Sequence, residues 1–303
     1  MARSYAILDV FTETALAGNP LAVVRDAAGL DDAAMQAIAR EFNLSETVFV
    51  LPATRPGHTA RVRIFTPARE LPFAGHPTVG TAILLALDRF GDAGGEQEAV
   101  IVLEEEVGPI RCGVTLRAGR PGEAEFDVPR RPSMLAVPID KDAAAAALGL
   151  LPREVGFENH VPCAFEAGVP FAFVPVHGLD AVARAAPVPG LWAGAFGGDR
   201  PNSAFVYCRD CVRHDAAFHA RMFAPEMGIG EDPATGSAAA AFAGVVHRFD
   251  APSDGRHVLP IEQGVEMGRP SSIRLEIDVA AGELHAVRIG GSAVRVAEGT
   301  LFV

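Results

Sequence analysis

Two short phrases in this chain set an acid or base beside a proline and a glycine, 156 residues apart. GHPTVGTA starts at Gly75 and EDPATGSA at Glu231, so His76-Pro77 is matched by Asp232-Pro233 and Gly80-Thr81-Ala82 by Gly236-Ser237-Ala238. X-Pro-x-x-Gly is by itself a good helix start, because a proline in the first turn gives up no N–H that the helix needs. Written twice inside a wider repeat, it points further, to a ligand gripped at helix ends. The residue before each proline is expected to cap its helix, with His76 and Asp232 facing outward. The N–H groups and the positive helix end suit an anion. Gly80, Gly236 and the small residues beside them let a ligand or another backbone approach closely. Two such mouths facing each other across a domain cleft would hold a small carboxylate.

The base is found where the repeat breaks. SETVFV from Ser45 aligns with PNSAFV from Pro201, which sets Glu46 against the neutral amide of Asn202. Amid Leu44, Val48 and Phe49, a glutamate at a strand edge caps a helix, stands in solvent or faces the cleft. Facing the cleft, it is desolvated, and its pKa rises toward the range useful for proton transfer. That chemistry is removal of a C–H proton next to a carbonyl or carboxylate. The charge then developing on oxygen would be stabilised by helix-end N–H groups.

These residues belong to a duplication. RIFTPARELPFAGHPTVGTA at Arg63 is echoed by RMFAPEMGIGEDPATGSA at Arg221; AGNPLAVV at Ala17 by AGVPFAFV at Ala167; LEEEVGPIR at Leu103 by IEQGVEMGR at Ile261. Matched segments in one order, at so long a period, mean two duplicated domains. Each half has one strongly helical segment after its phrase, Thr78 to about Phe90 and Ala234 to about Arg248, with little polar face and therefore buried. Second helices are expected at Leu30 to Phe42, opened by Asp31 and Asp32, and at Lys141 to Leu148. Between them run short β-branched and aromatic stretches punctuated by Gly and Pro. The fold class is α+β: two pseudo-symmetric domains, each a barrel-like curved sheet around a central apolar helix. The first takes residues 1–120 plus a closing strand of about 287–303, and the second 121–286.

Composition narrows the chemistry. A net charge of −12 argues against broad contact with nucleic acid or anionic membrane. The N-terminus lacks a secretory signal and no apolar run nears the ~18 residues that span a bilayer, so a cytoplasmic protein is expected. Lys141 is the sole lysine, leaving Schiff-base chemistry one poor candidate, and no nucleotide-binding glycine motif is present. Cys208 and Cys211 form a C-x-x-C without a second pair or a strand-to-helix setting, and read as incidental thiols. No metal site is expected.

With these phrases in hand, the chain resembles the PhzF-like family of phenazine biosynthesis isomerases, which share the diaminopimelate epimerase fold. The likeness runs through FTETALAGNPLAVV, NLSETVF, RIFTPARELPFAGHPTVG, GIGEDPATGSA, QGVEMGRPSSI and GGSAVRVAEGTL, nearly the whole length. It implies Glu46 as the glutamate that takes a proton from one carbon and returns it to another. His76 and Asp232 would flank the substrate, and Ser237 would hold its carboxylate. Gly75, Gly236, Ser45 and Asn19 would complete substrate binding. It also implies a homodimer that needs no cofactor. Epimerases of this fold carry a cysteine at each helix mouth; neither phrase has one here, so a single glutamate suits proton migration better than inversion. The rival expectation is a protein of this fold that binds a small metabolite or a partner without chemistry.

Overall fold

The computed structural model describes residues 2–91 and 95–303. The chain divides into two units, Met1–Pro129 with Gly290–Val303, and Arg130–Ile289. In chain order the first holds β1 (Ala2–Val10), β2 (Asn19–Val24), α1 (Asp32–Phe42), β3 (Glu46–Leu51), β4 (Ala60–Phe65), β5 (Glu70–Leu71), α2 (Gly75–Phe90), β6 (Gln97–Glu105), β7 (Gly108–Leu116) and β8 (Gly122–Asp127). The second opens with β9 (Ser133–Met134), α3 (Lys141–Ala147), β10 (Cys163–Glu166), β11 (Pro170–Pro175), α4 (Leu179–Arg184) and α5 (Trp192–Phe196). It continues through β12 (Ala204–Cys208), β13 (Phe218–Ala224), β14 (Ile229–Asp232), α6 (Gly236–Asp250), β15 (Gly255–Gln263) and β16 (Ser271–Ala280). Strand β17 (Glu283–Phe302) begins in the second unit and ends in the first. The first unit runs past the expected boundary at residue 120, because β8 pairs antiparallel with β7.

Both units repeat one strand plan. In the first, β2 and β3 run parallel across the α1 crossover, β3 and β4 antiparallel, β4 and β6 parallel across β5 and α2, and β6 and β7 antiparallel. In the second, β11 and β12, β12 and β13, β13 and β15, and β15 and β16 follow the same sequence of directions. Parallel neighbours require a crossover element, and here the helices supply it. Strand β1 is registered antiparallel to β17 from Ala2 opposite Phe302 to Val10 opposite Ala293, with a bulge at Ile7/Leu8.

The apolar runs behave as their patterns require. Eleven of the sixteen residues of α2 are buried, and so are ten of the fifteen in α6. Around Phe242 of α6 stand the rings of Phe173, Phe205, Tyr207 and Phe218, with centroids 5.7, 5.5, 4.7 and 4.9 Å away. The smaller helices are fixed by their caps: Asp31 accepts from the Ala34 amide and Asp140 from the Ala143 amide. Among the described residues no helix is long and apolar enough to cross a membrane.

Gly80 shows how tightly α2 is wrapped. A Cβ there would lie 2.7 Å from both Leu21 Cδ2 and Val10 Cγ2, on β2 and β1. Gly80→Ala is therefore expected to destabilise the protein by about 1–3 kcal/mol through overpacking, despite alanine's better helix propensity. Urea unfolding checks this; a stabilised variant would mean that the strands yield freely.

Candidate active site

In the first unit two of the sequence candidates meet. Glu46 opens β3, where its Cα is registered with Leu21 on the parallel neighbour β2. His76 is the second residue of α2. Its Nδ1 lies 3.4 Å from Glu46 Oε2, with 4% and 13% of the two side chains exposed. The glutamate is thus held against the imidazole and not turned to bulk solvent. Burial pushes the His76 imidazole down to about 3, so the ring is neutral at physiological pH. A neutral ring with its proton on Nδ1, the nitrogen nearer the carboxylate, leaves Nε2 as an acceptor. That Nε2 is buried with no hydrogen-bond partner among the described residues, and buried polar atoms without partners call for a ligand or water. Ser45 is half-buried ahead of Glu46, and Asn19 is fully buried at the start of β2, two residues before Leu21. Gly75 is the first residue of α2.

In the second unit Gly236 and Ser237 are the first two residues of α6, and Asp232 ends β14 just before it. Asp232 Oδ2 accepts the Thr235 hydroxyl at 2.6 Å, and its backbone carbonyl accepts Gln263 Nε2 at 2.7 Å. Gln263 Oε1 in turn accepts the Thr235 amide at 3.1 Å. Thr235 is the N-cap, but its hydroxyl is spent on Asp232 and makes no cap bond. Ahead of the first helical bond, from the Ala239 amide to the Thr235 carbonyl, the leading amides have no partner within the helix. They form a donor cluster of the kind that binds oxyanions.

The geometry corrects two expectations about these mouths. His76 and Asp232 are not caps: the N-caps are Ala74 and Thr235, neither with a side-chain cap bond. His76 lies inside its helix, because a proline at the third helical position still costs no hydrogen bond. Asp232, also followed by proline, stays extended at a strand end, the conformation favoured before proline. Nor are the two residues equivalent. Both helices begin at a glycine, Gly75 and Gly236, so the residue matching His76 is Ser237.

The frame for this is an arginine–glutamate pair in each unit that the sequence reading passed over. Arg63 of β4 grips Glu70 of β5 through Nε and Nη2, and Arg221 of β13 grips Glu231 of β14 through the same atoms. The spacer between the partners is three residues longer in the second copy. Aligning the prolines therefore slips the register. The signal was in the quoted phrases, where each arginine is followed by a glutamate shortly before the helix.

Cys208 and Cys211 stand apart from both mouths in their roles. Their thiols donate to the carbonyls of Asp210 and Arg209, and burial pushes them up to about 12 and about 11. Neither is poised as a thiolate. Among the described residues no group of three or more His, Cys, Asp or Glu side chains is placed to hold a metal ion.

Comparison with known proteins adds a second line. Residues 8–299 match the family model described as phenazine biosynthesis-like protein. The chain is 54% identical to an uncharacterized isomerase of Mesorhizobium japonicum, over 99% of both chains. It is 35% identical to the trans-2,3-dihydro-3-hydroxyanthranilate isomerase of Pseudomonas fluorescens, again over 99% of each. Among solved structures, a PhzF-family phenazine biosynthesis protein of Bacillus anthracis superposes with a TM-score of 0.86 over 100% of both chains at 24% identity, a likeness of fold.

Proposed function

The chain belongs to the phenazine biosynthesis-like family, and from that premise we propose that it is an isomerase moving a proton, and with it a double bond, within a small unsaturated or cyclic carboxylic acid. The observation that carries this reading is Glu46 lying 3.4 Å from a neutral, buried His76 whose Nε2 has no partner among the described residues. Glu46, as carboxylate, takes a proton from one carbon of the substrate. The electron pair left behind shifts the double bond, and the carboxylic acid of Glu46 returns the proton to a second carbon. His76 Nε2 accepts a hydrogen bond from the substrate and fixes its orientation. Ser237, Gly236 and the leading amides of α6 bind the carboxylate, where negative charge grows in the transition state. Asp232, locked by Thr235, orients the substrate's polar group, and Asn19, Ser45 and Gly75 shape its berth. No step of this sequence requires a cofactor. A cytoplasmic homodimer accompanies the proposal on the strength of the family resemblance.

The test uses the compound that names the Pseudomonas fluorescens relative. With trans-2,3-dihydro-3-hydroxyanthranilate in deuterated water, NMR is expected to show conversion with deuterium entering at one carbon. Failure to turn over this acid, and a panel of other small unsaturated carboxylates, would refute the isomerase reading.

A further inference from the structure

Glu105 is a buried carboxyl group with no part in the proton transfer above. It is the last residue of β6, 8% exposed, and its Oε1 lies 2.7 Å from the Thr78 hydroxyl of α2. Its Oε2 is buried without a partner among the described residues. The same Thr78 hydroxyl lies 2.8 Å from the carbonyl of Ala74, the N-cap of α2. A hydroxyl has one hydrogen and cannot serve both oxygens at once. With an ionised carboxylate it must turn to Glu105 and abandon Ala74. With a protonated acid the chain closes: Glu105 donates to Thr78, and Thr78 donates to Ala74.

The second unit supports the protonated arrangement with a residue that is neutral by nature. Gln263 ends β15 as Glu105 ends β6, both nine-residue strands, and occupies the same place in the repeated LEEEV and IEQGV segments. Its amide nitrogen lies 3.2 Å from the Thr235 hydroxyl, and its oxygen accepts the amide of Thr235, the N-cap of α6. A donor at a strand end thus steadies each mouth.

We propose that Glu105 is a positioning residue for the α2 mouth, acting as a neutral carboxylic acid that donates to Thr78 and through it to Ala74, and so keeps His76 in place beside Glu46. The importance of His76 rests on the isomerase reading; the placement of Glu105 does not. Cys112 of β7 interacts with Glu105, and the cavity that Glu105 lines also carries Asp32, Arg55, His58, Arg61, Arg63, Glu70, Glu104 and Glu106. Arg63 is spent on Glu70 and Asp32, and Glu104 on the Thr54 and Arg55 amides and His58. No described cation pairs with Glu105, and burial lifts it to about 8. Because the folded pKa is raised, its contribution to stability is full below the unfolded value of 4.5 and is lost as pH rises through about 8.

The experiment follows the His76 ring resonances of the full chain by NMR between pH 6 and 9.5. His76 itself stays neutral throughout, so a movement with a midpoint at about 8 reports Glu105. Glu105→Gln keeps a donor to Thr78 and is expected to hold the ring at its low-pH position across the range, and to remove any alkaline fall in kcat. Thr78→Val is expected to abolish the movement, while Thr78→Ser retains it. A wild-type ring that does not move, or one that still moves in Glu105→Gln, overturns the proposal. The NMR result supports or sinks it even if every tested acid proves inert, in which case only the isomerase reading falls.

Discussion

In the proposed mechanism, Glu46→Gln is expected to lower isomerisation by up to about 10⁴-fold. The amide keeps the size of the side chain and its neighbourhood with His76, but it has no lone pair basic enough to take a C–H proton. Loss of a general base typically costs about 10²–10⁴ in rate, and the proposed mechanism has the same group return the proton, so the upper end is expected in kcat. KM should change little, since Glu46 carries none of the carboxylate-binding groups. The measurement is single-turnover NMR in deuterated water. Full deuterium incorporation by Glu46→Gln would transfer the base role elsewhere. His76 is a poor replacement: with its imidazole held near 3, it has little tendency to take a proton.

The second large effect lies in Arg221. Its side chain is 10% exposed, with Nε and Nη2 each 2.7 Å from an oxygen of Glu231. Its Nη1 donates to the carbonyls of Val182, Ala183 and Ala185 at 3.0, 3.0 and 2.8 Å. These carbonyls end α4, so the guanidinium closes a helix with one nitrogen and fastens β14 with the others. Arg221→Ala leaves a largely buried carboxylate and the Ala183 and Ala185 carbonyls without this donor, while Val182 keeps the Ala185 amide, and is expected to cost about 3–5 kcal/mol in urea unfolding. Arg221→Lys should recover only part of that, because an ammonium cannot form the two-pronged contact. Activity should fall as well, since Asp232 follows Glu231 directly. A cost below about 1 kcal/mol would mean that the pair is as weak as a solvent-exposed one. Arg63 is the milder counterpart, since its second partner Asp32 is 84% exposed.

Much of this architecture is legible in the residues alone. AILLAL and AAAAFAGVV have no face to give to water, so α2 and α6 had to be central. Asp31 and Asp140 stand where caps must stand. Glu46 is visible as an asymmetry, one carboxylate against one amide in matched strands. What escapes is register and range. Proline is tolerated at two different places near a helix start, so the His76-Pro77 and Asp232-Pro233 pairs look alike while one lies in a helix and the other ends a strand. The longer spacer between Arg221 and Glu231 hides the true partner of His76, which is Ser237. Glu105 cannot be seen at all from its neighbours, because the burial that lifts it and its contact with Thr78, 27 residues away along the chain, arise only in the fold.

The pairing of β1 with β17 has a consequence for how the protein folds. The two strands of this pair are separated along the chain by the whole of the second unit, so the first unit closes only when β17 returns to β1. The span Arg130–Ile289 is continuous in the chain, whereas the first unit is assembled from two separate segments. Such a long sequence separation between partners slows assembly, and until β17 docks the edge of β1 that it covers stays unpaired.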